Sequence, residues 1–459
     1  MRDITFTTKD IAKITWPVVV EFTLAATVGI SDTIMVSNVG DIAVSAVGLV
    51  DSINMLFINV FTAIATGTTV IVAQLFGKGD RDNIHKTIAQ STLLLFLVMS
   101  AAAALVIILN RQIFDIIYPE VEAAVRENAL KYFIITALTY PLVAVFSNLA
   151  GAFRGKGNTK IAMRGSLIIN VINISLNALF IYGFGMGVVG AAIATLIGRF
   201  FGCILLIRAE IHADGRHVFS SEYMRMTKKL LSPVLKISLP AGLDALLFQS
   251  GKIIVSSFVG MMGTSAISAN VIALSTFGLI SIPGNSLAVT ATSTAGQCYG
   301  AGLRRHAKKN LLKCVFYSAG LMAFISIILY FPAPYIIKAY NPSAEAMPIA
   351  VNLFRLMLIM LPLSWPTAFV TSNGLRAVDD VKFVTVVSII SMWTMRVFMA
   401  WVLGIKLNLG PYGVNLAMGL DWVLRSLFYM PRIFSLKRLK SDAETAPAPE
   451  NADVVGQIS

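Results

Sequence analysis

Charge is scarce in this chain. Asp, Glu, Lys and Arg make up only 13% of its 459 residues, while apolar side chains make up 56%, roughly half and somewhat more than a soluble domain's shares respectively. With a mean hydropathy of +0.76, that balance excludes an ordinary soluble fold and places the chain in the membrane class. Cysteine is scarce as well. Cys203, Cys298 and Cys314 stand apart, in or beside apolar runs and without CxxC spacing, so neither a disulfide framework nor a metal site follows. All four histidines, His85, His212, His217 and His306, fall in basic loops, which argues against a histidine proton relay and leaves carboxylates as the titrating groups. Nucleotide machinery is lacking too. The turn Gly151-x-x-x-Gly155-Lys156-Gly157 departs from the GxxxxGK[ST] spacing, and the connection from Arg208 to Val234 is too short for a nucleotide-binding domain. No Ser/His/Asp, metal-ligand or cofactor spacing occurs in the apolar runs, so no enzyme and no cofactor are expected beyond a coupling Na⁺ or H⁺. The net charge of +13 sits in short loops, where it sets topology and meets anionic lipid. No nucleic-acid partner is expected, and the polar stretch Met1 to Lys13 does not read as a cleaved signal peptide.

Against this background the apolar runs are long. Stretches of about 18–30 residues, each enough to span a bilayer, begin near Ile14, Ser45, Thr87, Tyr132, Ile161, Gly187, Val234, Ser265, Leu311, Ile349, Val381 and Gly413. Twelve runs put both termini on one side. Turns rich in Lys and Arg (Lys78/Arg81/Lys86, Arg154/Lys156/Lys160, Arg208 to Lys229, Arg304 to Lys309, Arg376/Lys382, Arg432 to Lys440) alternate with turns nearly free of them, so the basic set and both termini are expected in the cytoplasm. On the opposite side, Asn110 to Lys131 reads as an interfacial segment with a short amphipathic helix from Glu120, and Tyr340 to Pro348 as its counterpart. The Ala- and Pro-rich acidic tail reads as disordered.

A repeat of about 223 residues organises the whole. Ile14-Thr15-Trp16-Pro17 returns as Ile237-Ser238-Leu239-Pro240, Val39-Gly40 as Val259-Gly260, Gln74-Leu75-Phe76-Gly77 as Gln297-Cys298-Tyr299-Gly300, and Gly187-Val188-Val189-Gly190 as Gly410-Pro411-Tyr412-Gly413. Each half holds six runs, so both halves enter from the same side. The expected fold is an all-α integral membrane protein with twelve transmembrane helices in two parallel six-helix lobes, related by a pseudo-twofold axis along the membrane normal. Its parts are a cytoplasmic N-terminus (1–13), an N-lobe (14–207), a linker (208–233), a C-lobe (234–434) and a tail (435–459).

Polar residues inside these runs are candidates for function. A charge within the bilayer costs about 2.5–3.5 kcal/mol even on a lenient scale, so Asp32 in the first run needs partners or a wet cavity. Glu21 lies eleven residues earlier, on the same helical face and roughly 16 Å away; it reads equally as a second functional acid or as a buried pin between helices. Asn170, Asn173 and Asn177 form a stripe in the fifth run. They are either glue between helices or neutral oxygen ligands which, with Asp32 and the Thr195 hydroxyl, would suit a hard monovalent cation. In the register set by Val39 and Val259, Asp32 falls opposite Lys252, and in the Pro17/Pro240 register Glu21 falls opposite Asp244. Lys252 would either face a carboxylate across the cleft or pair with Asp244 on its own helix. Met35, Met55, Phe61, Phe248 and Phe277 are adaptable groups of the kind promiscuous pockets use.

Pro17 followed fifteen residues later by Asp32, GAFRGKGNTK after the fourth run and GLRAVDDVK after the tenth make this chain resemble the multidrug and toxic compound extrusion (MATE) transporters, in their NorM-like prokaryotic branch. The resemblance spans Lys9 to Lys440. It implies an inner-membrane antiporter that expels organic and often cationic small molecules as Na⁺ or H⁺ enters; a monomer is expected. It implies a cation site at Asp32, Asn173, Asn177 and Thr195, with Asn177 standing where some members carry Asp, and a helix-bending role for Pro17. Asp380 matches a C-lobe carboxylate of NorM-like members, but Phe248 and Gln249 stand where their accompanying glutamate would be. Asp380 therefore reads as a salt-bridge residue beside Arg376 and Lys382. A lipid-linked saccharide flippase of the same superfamily is the alternative; it would favour a strongly cationic cleft.

Overall fold

The structure is a computed structural model, and it describes residues 6–213 and 218–435. The disorder expected of the tail falls, past Ser435, outside the described residues. Within them the chain is all helical. Span 1 is Thr8–Ser37, span 2 Asp41–Lys78 and span 3 Arg81–Ile108. Span 4 joins Ala123–Ala137 to Tyr140–Gly155 through a 42° bend; spans 5 and 6 are Thr159–Gly183 and Gly187–Ala213. The second half repeats the order. Span 7 is Lys228–Gly260, and span 8 joins Thr264–Ile280 to Ile282–Gly300 through a 46° bend. Spans 9 to 12 are Arg304–Tyr330, Ala346–Ala377, Val381–Lys406 and Gly410–Ser435. Among the described residues nine helices are long and apolar enough to cross a membrane, or eleven with the two bent pairs; span 12 completes the set.

Local chemistry sets the ends. Thr7 and Asp10 form a reciprocal capping box that starts span 1, satisfying two of the amides a helix leaves bare. Gly79, at φ 75°, closes span 2 in the left-handed conformation, and the Asp80 carboxylate accepts from the Asn83 amide to start span 3. Pro17 lies inside an unbroken span 1, where its missing N–H leaves the Lys13 carbonyl without its usual donor. The short interfacial helix forms over Asn110–Ile117 rather than from Glu120, because Ala123 onward is already the first turn of span 4. Arg126 reaches back from there to clamp Asp115 with two bonds of 2.7 Å. In the other half, Ala333–Lys338 takes the corresponding place just ahead of the expected Tyr340 to Pro348 segment.

The repeat register is 223 residues at the prolines, turn glycines and π-helical turns, slipping to 222 at the basic turns that carry Arg154 and Arg376. Gly40 and Gly263, both at positive φ, precede spans 2 and 8, and π-helical turns occupy Ala178–Gly183 and Trp401–Lys406. Each of these pairs differs by 223, as do Pro17 and Pro240. This corrects the Asp32/Lys252 correspondence. The Val-Gly pair of span 7 comes three residues sooner after its proline than that of span 1, and the counterpart of Val39-Gly40 is Met262-Gly263, so Asp32 falls opposite Val255 and Lys252 opposite Gly29, one turn away.

The lobes meet along one end only. Ser238 Oγ donates to Ile64 O at 2.6 Å, Thr15 and Thr290 share a hydroxyl bond of 2.9 Å, and Gln74 Nε2 donates to Ala377 O at 2.9 Å. Gln297 Nε2 donates to Gly155 O at 2.8 Å and Ser293 Oγ to Arg154 O at 2.6 Å. Spans 2 and 8 cross backbone to backbone here. A Cβ on Gly77 would sit 1.9 Å from Gln297 O, and one on Gly300 would sit 2.0 Å from Gln74 O. All of these residues lie toward the end where the basic loops gather, and Ile64 and Val60 of span 2 pack against Gly242 of span 7. Farther along spans 2 and 7 no hydrogen bond joins them among the described residues, and Met55, Leu243 and Leu246 are exposed, so the lobes diverge there into a cleft.

Candidate functional site

Four of the sequence candidates form one hydrogen-bonded chain in the N-lobe. Asn177 Nδ2 donates to Asp32 Oδ1 at 2.5 Å and to Asn173 Oδ1 at 3.2 Å, and Asn173 Nδ2 donates to Thr195 Oγ1 at 3.0 Å. Spans 1, 5 and 6 each contribute, and Asn177 sits where span 5 passes into its π-helical turn; such turns recur at functional sites. Asn177 Oδ1 is buried and has no donor. A buried acceptor without a partner costs about 1–3 kcal/mol, and a hard monovalent cation placed there would relieve it; the donor set is all oxygen, as such a cation requires. Asn170 stands apart from this chain, its amide donating to Ser166 O at 2.7 Å.

Sequence reasoning missed the charges around Asp32. Asp51 on span 2 and Arg199 on span 6 both act on it electrostatically. Asp51 accepts from Tyr132 OH at 3.3 Å and from Asn54 Nδ2 at 3.4 Å, and Asn54 in turn accepts from Tyr140 OH at 2.8 Å. Arg199 donates to Thr139 Oγ1. Two carboxylates and one guanidinium leave this cluster with a net charge of −1, which one monovalent cation would neutralise. Asp51 lies nine residues from Val60 on span 2, roughly 13 Å along a helical rise, and it is exposed.

Glu21 does not share the wet face with Asp32 that its spacing suggested. It is 5% exposed and accepts from Arg154 NH1 at 2.8 Å, because span 4 presents that arginine at the basic end. Its equivalent Asp244 accepts from Arg376 NH2 at 2.6 Å and from Ser388 Oγ at 2.6 Å, so both lobes hold an acid of their first span with an arginine of their fourth. Asp244 is thereby taken, and Lys252 makes no ion pair with it. Asp380 pairs with Arg432 at 2.7 Å rather than with its neighbours Arg376 and Lys382. Also missed were Asp421 and Arg425 of span 12, a buried pair at 2.8 Å.

The apolar cleft candidates divide. Met55 is 64% exposed and Met35 is half-buried. Phe61 is core instead, 5% exposed and packed edge-on to Tyr140, and Phe277 stacks on Trp422. Phe248 lies beneath the guanidinium groups of Arg396 and Arg425 at 5.2 and 5.7 Å.

Comparison with known proteins bears on this arrangement. Solved structures similar in fold include one titled as the outward-facing conformation of a multidrug resistance MATE family transporter, with a TM-score of 0.85 over 94% of this chain and 96% of that one at 21% identity. Among curated relatives, the uncharacterized transporter YisQ of Bacillus subtilis is 27% identical over 91% of this chain and 92% of its own length. A probable multidrug resistance protein NorM of Thermotoga maritima is 26% identical over 91% and 90%. The MatE family pattern matches twice, over residues 17–179 and 240–402, a separation of 223 that equals the structural repeat. The chain therefore belongs to the MatE family and is a NorM-like, multi-pass membrane transporter of the MATE type.

Proposed function

We propose that this protein is a secondary active exporter that expels organic small molecules, often cationic, as Na⁺ or H⁺ enters at Asp32. The observation that carries the reading is the orphaned, buried Oδ1 of Asn177, the amide whose Nδ2 donates to Asp32, in a chain of oxygen-bearing groups in the N-lobe wall. Asp32, Asn173, Asn177 and Thr195 hold the ion; Asp51 and Arg199 set the net charge it meets. Three neutral oxygens around one carboxylate favour sodium. On this reading the basic end is cytoplasmic, with both termini, and the structure is outward-open in the cell membrane. The cation enters from the open side, cancels the cluster's negative charge, and so favours release of a cationic substrate from the same wall. Ion and drug need not touch; competition for one negative field suffices. Under this proposal the chain catalyses no covalent chemistry and acts as a monomer, with anionic lipid around the basic loops.

Asp32→Asn tests the reading. The variant should express and fold as wild type while losing gradient-driven dye efflux from vesicles; efflux at the wild-type rate would remove the mechanism.

A further inference from the structure

Span 9 opens differently from span 3, the helix it repeats. In span 3 the Asp80 carboxylate accepts from the Asn83 amide, and Asp82 accepts from Lys86 Nζ at 2.6 Å. The 223-residue register puts Leu303 at the position of Asp80 and Arg305 at that of Asp82, while Lys309 stands for Lys86 and Lys313 for Gln90. An i,i+4 ion pair in one lobe is thus a pair of like charges in the other, which weakens a helix instead of supporting it.

These cations line one recess. Arg305, Lys308, Lys309 and Lys313, with Phe316 and Tyr317 beyond them, surround about 490 Å³, room for a group of ordinary ligand size. Among the described residues no carboxylate shares that lining, and none of the three lysines forms an ion pair. Lys308 Nζ lies 4.2 Å from the centre of the Phe434 ring, Lys313 donates to Phe6 O at 3.0 Å, and Lys309 is exposed.

Beyond the recess the same helix face turns apolar. Phe316 is 73% exposed, and Phe324, Ile327 and Phe331 continue the exposed line at spacings that keep side chains on one face. Gly320 leaves a notch between Phe316 and Phe324, for nothing stands within 4 Å of where its Cβ would be. From Phe316 to Phe331 the line runs roughly 22 Å on a helical rise, enough to cross one leaflet of a hydrocarbon core about 30 Å thick. Basic loops gather anionic lipid loosely, and topology asks only for cations in this turn. Topology does not ask for four of them around a recess, with the acids of the equivalent turn replaced.

We propose that this recess binds the phosphate headgroup of an anionic phospholipid, whose acyl chains lie along Phe316, Gly320 and Phe324. A free phosphate would meet the cations but leave the apolar track unused, so the occupant is lipid. Lys313 and Tyr317 also hold the lead of span 1, through Phe6 O and a 2.7 Å bond to the Thr8 hydroxyl. The lipid therefore sits where the first span of the N-lobe meets the third span of the C-lobe.

Native mass spectrometry of the purified full chain, titrated with phosphatidylglycerol or with phosphatidylcholine of the same acyl chains, tests this. Wild type should hold its first phosphatidylglycerol at least tenfold more tightly than phosphatidylcholine, and inorganic phosphate should not displace it. Lys309→Gln should weaken that first lipid about fivefold, one lysine's share of the attraction to an anionic headgroup, and Lys309→Arg should restore it. Lys160→Gln removes the same charge from another exposed basic turn and should leave the first lipid within twofold of wild type. Equal losses in Lys309→Gln and Lys160→Gln would reveal only the diffuse pull of a basic surface and overturn the site. No loss in Lys309→Gln, equal affinity for the two lipids, or displacement by inorganic phosphate would overturn it as well.

Discussion

Gly77→Ala should push the protein out of the state seen here. Its new Cβ would lie 1.9 Å from Gln297 O, against the 3.4 Å at which ordinary packing begins, so spans 2 and 8 must part by about 1.5 Å. The Gln74 and Gln297 amide bonds that cross this seam, at 2.9 and 2.8 Å, would then stretch beyond hydrogen-bonding range. Two such bonds are worth about 1–3 kcal/mol net. Alanine in a helix gains roughly 1 kcal/mol over glycine, but in every conformation alike, so it leaves the balance between states untouched. The parted helices also give up dispersion attraction along the seam. Together these effects should move the equilibrium by about 2–3 kcal/mol, roughly 30- to 150-fold, toward a form open at the basic end. Spin labels at exposed Ile42 and Met261, at the mouth of the cleft, would report this by double electron–electron resonance. Wild type should give one long distance and Gly77→Ala a second, shorter population. An unchanged distribution in a variant that expresses normally would show that the crossing of spans 2 and 8 does not hold the cleft open.

Other consequences follow from single interactions. Glu21→Gln should destabilise the fold by about 3–5 kcal/mol, the usual cost of leaving one partner of a buried ion pair alone, because Arg154 is held at 2.8 Å with little solvent; thermal unfolding in detergent would show it, and Glu21→Met with Arg154→Met should recover most of the deficit. Asp51→Asn removes a like charge within electrostatic reach of Asp32, on the order of 1 kcal/mol at an effective dielectric near 30, so the sodium concentration for half-maximal efflux should rise about fivefold while maximal efflux stays. At the interface, Arg126 beside Asp115 holds that carboxyl below its ordinary range. A depressed acid contributes its tether above the ordinary carboxylate range and loses it as pH falls through the lowered value, so hydrogen exchange over Asn110–Ile117 should quicken only in strong acid, and in Asp115→Asn at neutral pH.

Much of this is legible in the sequence, for a definite reason. Asp32 and the Asn170–Asn177 stripe stand out because polar groups inside apolar runs are costly, and the twelve spans and their repeat follow from run length and turn residues. Asp51 is hidden because the apolar run around it becomes clear only at Ser45, whereas the helix begins at Asp41; its depth shows only once that start is known. Pairings between helices are out of reach. Spacing puts Glu21 on the face of Asp32, but Arg154, distant in sequence, decides its place, and Arg432 claims Asp380 in the same way. The slip of three residues at Val259 misplaces Lys252 because a short Val-Gly match outweighs the proline register, and only the turn glycines Gly40 and Gly263 fix it.

The central claim is that cation entry at Asp32 drives export, and coupled flux in proteoliposomes tests it most directly. With no nucleotide present, wild-type protein should move the cationic dye tetramethylrhodamine methyl ester against its own gradient when a sodium gradient is imposed, or failing that a pH gradient, and Asp32→Asn should only let it equilibrate. Dye that merely equilibrates in wild type under both gradients, or that concentrates as well in Asp32→Asn, would contradict the account.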